Sequence, residues 1–137
     1  ALQLMGTEVM RNHFHKNIWI DSLEYRMRSA EANHPCVVIS DTRFTNELDL
    51  IKRLGGVVIN IERGEKPEWY ETASSANSGH VPSQHIMHTR FKNVHLSEWN
   101  WVGYDFDHVI TNNDTIDSLR IMVDSTHELI TANDPKK

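Results

Sequence analysis

The run Cys36-Val37-Val38-Ile39-Ser40 limits the fold of this chain more than any other stretch. Four small or β-branched apolar residues in succession, without polar alternation, suit a strand covered on both faces, as in a parallel sheet. A polar corner, Asp41-Thr42-Arg43, follows at once. In open α/β sheets ligands gather at the carboxyl ends of the strands, so chemistry is expected at this corner. An ordinary polar turn with a local Asp–Arg ion pair accounts for the same residues. The next residues favour a sheet. Thr45 or Asn46 caps a short helix through Leu54, with Leu48, Ile51 and Leu54 as its apolar stripe. Gly55-Gly56 ends it in the left-handed manner, and Val57 to Ile61 forms a second strand. Strand, helix and strand with short links predict a right-handed βαβ unit with parallel strands, and the fold class is α/β.

On the amino-terminal side, Leu2, Leu4, Met5 and Val9 read as a helix already under way at the first residue. Asn17 is an expected N-cap, followed at helical spacing by Ile18, Trp19, Leu23, Met27 and Ala30. Trp19 is expected in the core. The helix should stop near Ala32-Asn33-His34, because Pro35 disfavours helix in the residue before it. Between Glu65 and about Arg90 periodicity fails amid Pro67, Gly79, Pro82 and the small polar cluster Ser74 to Ser78. The segment 65–90 is read as an irregular lid or binding loop. Phe91 to Gly103 is only partly periodic. Asp107 to Thr111 is a third strand, and Asp114 caps a last helix with Ile116, Leu119, Val123 and Ile130 on one side. Residues 133–137 should fray. The whole, 1–137, reads as one domain.

Composition narrows the function. The chain has 137 residues, enough for a core, and a formal net charge of −5 with no basic block. Duplex binding needs clustered Lys and Arg, so a nucleic-acid polymer is excluded as the expected partner. A small phosphorylated ligand needs only a few placed cations. The single Cys36 permits no internal disulfide framework and points to a reducing compartment, the cytoplasm. No apolar stretch approaches the roughly 18 to 20 residues of a membrane span, and no signal pattern opens the chain. His80, His85, His88 and His95 crowd one region, but without Cys partners or an HExxH motif, and at irregular spacing. No metal site is assigned.

Four groupings carry possible chemistry. Arg43 offers a donor fork matched to phosphate, and Asp41 at a strand exit can hold Mg²⁺ directly or through water. Asp21 follows Trp19-Ile20, one residue past the helix's apolar face. His95 and Glu98 lie on one side of a helical turn, which taken alone reads as a cap plus a surface pair. Asn112 and Asn113 follow the third strand, where their amides suit a purine edge and also form turns.

Taken in order, these residues resemble the C-terminal part of the deoxynucleoside monophosphate kinases of tailed bacteriophages. The resemblance rests on Leu4-Met5-Gly6-Thr7-Glu8, Asn17-Ile18-Trp19-Ile20-Asp21, Val37 to Phe44 with Asn46-Glu47, Gly55-Gly56 before Val57 to Ile61, His95 with Ser97-Glu98, and Val109-Ile110-Thr111-Asn112-Asn113. It implies a partial P-loop kinase-like three-layer fold: a parallel sheet with flanking helices and a lid. It implies transfer of the γ-phosphoryl group of ATP, with Mg²⁺, to a deoxynucleoside 5′-monophosphate (dNMP), giving the diphosphate. By resemblance, Gly6, Thr7, Glu8, Arg11, Trp19 and Asp21 face the acceptor. Asp41 and Arg43 lie at the phosphates and Arg63 opens the lid region as a third catalytic residue. His95 and Glu98 stand near the substrate, and Asn112 flanks the adenine of ATP. The compartment is then the cytoplasm, that of the host cell for a phage-encoded protein.

The sequence departs from this family at one point. The G-x-x-x-x-G-K-[ST] loop that cradles ATP phosphates does not occur in the 137 residues. Three readings remain open: the loop-bearing part is missing through truncation or splitting, it is supplied by another polypeptide, or the protein is a non-catalytic nucleotide-binding or inhibitor module derived from a kinase; a homo-oligomer is also open as a partner.

Overall fold

Helix α1 (Ile18–Ala30) begins where Asn17 was expected to launch it, and the Asp21 amide donates to the Asn17 carbonyl at 2.8 Å. The computed structural model describes residues 9–11, 13–30 and 37–132, which belong to two compact units meeting between Leu50 and Ile51. In the first unit the inner face of α1 differs by one residue from the expected stripe. Ile20 is buried, while Trp19 is 43% exposed and outside the core. Ile20, with the half-buried Leu23 and Met27, follows the i, i+3, i+7 spacing of one helix face, and Trp19 sits about 100° off it. On the outer face Arg28 pairs with Glu24 at 2.7 Å.

The expected first strand is not formed. Residues 37–40 carry no regular structure and pair with no strand among the described residues, and Val38 is 92% exposed. An extended segment becomes a strand through the ladder bonds of a neighbour, and here none is described. Cys36 lies outside the described residues, as does the expected opening helix through Glu8.

Helix α2 (Thr45–Arg53) has Phe44 at the N-cap position rather than Thr45 or Asn46. Glu47, three residues on, accepts from the Phe44 amide at 3.1 Å, the reach-back half of a capping box. Its other end is a Schellman motif: Gly56 N–H donates to the Ile51 carbonyl (2.9 Å) and Gly55 N–H to that of Lys52 (3.0 Å). Gly55 has φ of 79°, a left-handed conformation in which a side chain would be strained. Leu48 is buried as expected, and so is Leu50, which the stripe had left out.

In the second unit, strand β1 (Ile59–Glu62) runs parallel to β2 (His108–Thr111), with Ile59 opposite His108 and Glu62 opposite Thr111. The protein is therefore α/β, as expected, but the parallel pair joins the second and third expected strands. Asp107 fixes the register at one end. Its carboxylate accepts from the Val58 amide at 2.7 Å and its own amide donates to the Val58 carbonyl at 2.9 Å. At the other end Asn112 N–H donates to the Glu62 carbonyl at 2.7 Å. Lys52 Nζ stands 3.3 Å from the Asp107 carboxylate. Burial pushes that carboxyl up, but the Val58 N–H and Lys52 outweigh it and hold it below the ordinary aspartate range.

Residues 65–90, expected to be irregular, are mostly helical: α3 (Tyr70–Asn77) and α4 (Val81–Thr89) pack against each other, followed by the single turn α5 (Leu96–Trp99). Their breakers mark helix ends. Pro67 precedes α3, Gly79 (φ 95°) turns the chain, and Pro82 occupies the first turn of α4. The contact face is made of small residues, Ala73 and Ala76, which close on Met87, Trp99 and Val102 in a buried cluster. Asn77 pins α3 to the following segment, its amide donating to the carbonyls of Trp99 (2.9 Å), Asn100 (3.3 Å) and Val102 (2.8 Å).

Helix α6 (Ile116–Ala132) closes the described chain and has no buried residue, so its expected apolar side is largely in solvent. Thr115 caps it, accepting from Ser118 N–H at 3.2 Å, while Asp114 accepts from the Thr115 amide at 2.8 Å. No helix among the described residues is long and apolar enough to cross a membrane.

Two predictions follow from these anchors. Asn77→Ala removes the donor shared by three carbonyls and should lower stability by about 1 to 3 kcal/mol in urea denaturation; an unchanged midpoint would show the pin to be dispensable. Asp107 has a lower pKa folded than unfolded, so its stabilisation is present above the ordinary aspartate range and is lost as pH falls through it. Asp107→Asn should therefore flatten the acid limb of the stability–pH curve and leave a smaller difference from the native protein at low pH than at pH 7.

Candidate functional site

The corner after residues 37–40 is built from charged side chains that hold one another. Asp41 accepts from Arg43 Nε at 2.7 Å, with both side chains well exposed. This is the local ion pair that the sequence allowed. Beneath it, Glu47 gathers three donors. One carboxylate oxygen takes the backbone N–H groups of Arg43 (2.8 Å) and Phe44 (3.1 Å), and the other pairs with the Arg11 guanidinium. Arg11 lies over the Phe44 ring, 4.0 Å from its centroid, and its side chain is only 8% exposed. Arg11 thus packs against the corner, at a position that the resemblance gave to the acceptor side.

Glu47 was absent from the expected site. Its signal was available: a Glu at the third position of a helix is the reciprocal partner of a capping box, and this one reaches both the cap and the residue before it.

The other expected residues of this unit lie on α1 and at its start. Trp19 is half-exposed, and Asp21 faces His15 across 3.4 Å in solvent. Asn17 accepts from the Asn46 amide at 3.2 Å, joining the start of α1 to the first turn of α2. Leu23, Arg26 and Met27 of α1 and residues 37–41 line a hollow of about 410 Å³. Gly6, Thr7 and Glu8 lie outside the described residues.

The second unit holds two further groupings. Arg63 and Asn112 follow β1 and β2 directly, so parallel pairing brings them to the same carboxyl edge. There Gly64 N–H donates to the Asn113 side-chain carbonyl at 2.7 Å, closing the edge. His95 is the N-cap of α5: its Nδ1 accepts from Ser97 N–H at 3.2 Å and lies 2.8 Å from Ser97 Oγ, which donates to Glu98 at 3.3 Å. The geometry of His95 and Glu98 is that of a cap with its neighbours. Among the described residues no three His, Cys, Asp or Glu side chains cluster to hold a metal ion.

A Mg²⁺–nucleotide needs less than such a cluster, since the ion keeps several waters and takes one or two carboxylates beside the phosphates. Asp41, a largely exposed carboxylate next to an Arg, fits that modest requirement.

The first unit thus carries an exposed Asp–Arg corner above an acidic capping box, and the second an Arg–Asn sheet edge. The sequence profile of the family described as Deoxynucleotide monophosphate kinase matches residues 1–123. The chain belongs to that family. A protein of Acanthamoeba polyphaga mimivirus named as a deoxynucleotide monophosphate kinase is 45% identical over 71 residues, covering 45% of this chain and 37% of its own length. The Deoxynucleoside-5′-monophosphate kinase of Escherichia phage T5 is 30% identical over 92 residues, covering 64% of this chain and 36% of its own. The chain spans little more than a third of the length of these curated relatives. No solved structure matches it significantly.

Removing Glu47 would leave Arg11 buried without its counter-charge and the cap unsatisfied. Glu47→Ala should cost about 3 to 5 kcal/mol in thermal or urea unfolding, whereas Arg43→Ala, at the exposed rim, should cost under about 1 kcal/mol. Equal losses for the two variants would contradict this division between support and rim.

Proposed function

We propose that the chain is the acceptor-side part of a deoxynucleoside monophosphate kinase, working on ATP and a dNMP to give the diphosphate, within a P-loop kinase-like three-layer fold. The observation that carries this reading is the family match over residues 1–123 together with the Asp41–Arg43 corner inside it. Phosphoryl transfer is mostly positioning and charge stabilisation. Arg43 supplies donors to a phosphate, and the Asp41 bond to its Nε sets the direction of the guanidinium fork. Glu47 holds the Arg43 backbone, so the fork stands on a fixed main chain. Trp19 and Asp21 contact the acceptor, and Arg63, at the carboxyl edge, meets phosphate charge. Asn112 takes the adenine, and His95 and Glu98 stand near the acceptor. ATP brings Mg²⁺, which draws charge from the phosphates when bound, and Asp41 would hold it through water.

The P-loop comes from outside these residues, either from a part missing through truncation or splitting or from a separate polypeptide. The unladdered, exposed run at Val37 and Val38 supports this, because a neighbouring strand would cover it. The setting is cytoplasmic, and no nucleic-acid polymer takes part. A second reading is a non-catalytic nucleotide-binding or inhibitor module on the same partial fold.

A coupled assay with ATP and dNMP separates the two. The chain alone should bind dNMP without turnover, and adding a polypeptide that carries the P-loop strand should restore it. Turnover by the chain alone would refute the argument from the loop; binding without turnover even after that addition would favour the module. Arg43→Ala should weaken dNMP binding by roughly 1.5 to 3 kcal/mol, the range for a charged hydrogen bond, and unchanged affinity would remove Arg43 from the site.

A further inference from the structure

Of the four described arginines in the first unit, Arg11 pairs with Glu47, Arg28 with Glu24 and Arg43 with Asp41. Arg26 is the exception: among the described residues it makes no ion pair. It stands at the hollow of about 410 Å³ beside α1, walled by Leu23, Met27, Val37 and Ile39, with Asp41 also in its lining. Leu23, Arg26 and Met27 share one helix face at i, i+3 and i+4, so a cation and two apolar side chains are presented together. That volume falls within the roughly 300 to 1,000 Å³ of small-molecule sites, which combine apolar walls with a few polar groups. An unpaired guanidinium beside an apolar hollow suits a ligand with an anionic end and a flat apolar body. The negative charge of Asp41 is already matched by Arg43, which lowers its repulsion of such an anion.

We propose that this hollow seats the sugar and base of the acceptor nucleotide and that Arg26 binds its 5′-phosphate, alongside Arg43. The inference rests on the acceptor-side reading above and adds a residue and a location to it. Arg26 is exposed on a helix, and Ala is the strongest helix former, so Arg26→Ala should keep the fold, which circular dichroism checks.

The test is calorimetric titration of the full chain with each of the four dNMPs and with the matching deoxynucleosides. Arg26→Ala should weaken dNMP binding about tenfold or more and leave deoxynucleoside binding unchanged, with Arg26→Lys intermediate. Met27→Trp, which fills the hollow, should weaken both ligand types. If the native chain binds dNMP and Arg26→Ala binds it equally well, the proposal fails while the acceptor-side reading stands. If the native chain binds no dNMP at all, both fail.

Discussion

Two parallel strands cannot be joined by a tight turn, and this constraint shapes the second unit. β1 and β2 run in the same direction, so the chain leaving Glu62 must travel back the full length of the pair before His108 can begin. A crossover of that length without internal structure would carry a large loss of chain entropy and many unpaired backbone groups. Here it folds on itself. Small side chains let α3 and α4 approach, Met87, Trp99 and Val102 fill the contact, and Asn77 ties the result to the chain beyond α5. The sheet then needs only its two ends fixed, by Asp107 and Val58 at one and by Asn112 and Glu62 at the other.

The same body explains which parts of the fold the sequence made legible. Val57 to Ile61 and Asp107 to Thr111 were readable as strands because each is a short apolar β-branched run bounded by polar residues. The end of α2 was readable because paired glycines have one common use after a helix. The crossover was not, because its helices meet through alanines. A search for large apolar residues at helical spacing passes over a face made of Ala73 and Ala76, and the prolines and glycine that stop these helices look like loop residues. The run at 37–40 misled in the opposite direction. Its composition is that of a buried strand, but a strand is a relation between two segments, and the second is absent from the described residues.

At the candidate site the exposed Asp41–Arg43 pair was legible in the sequence, while its support was not. The resemblance placed Arg11 toward the acceptor; in the structure its side chain lies over the Phe44 ring, its charge balanced by Glu47. Glu47 in turn fixes the backbone that carries Arg43. This division, an exposed Asp41–Arg43 pair above a part-buried Arg11–Glu47 pair, is set by spacing in three dimensions: Arg11 and Glu47 are 36 residues apart in sequence. The family match then supplies what geometry alone does not, membership of the deoxynucleotide monophosphate kinase family.

The run Val37-Val38-Ile39, exposed at Val37 and Val38, bears on how the protein behaves in a test tube. Short β-branched segments with free backbone edges are templates for self-association. The sequence brackets this one with Pro35 on one side and the Asp41–Arg43 pair on the other. Proline interrupts the backbone donors that a growing sheet needs, and fixed charges resist stacking of identical copies. The charged corner therefore serves as a solubility guard for the apolar run that leads into it.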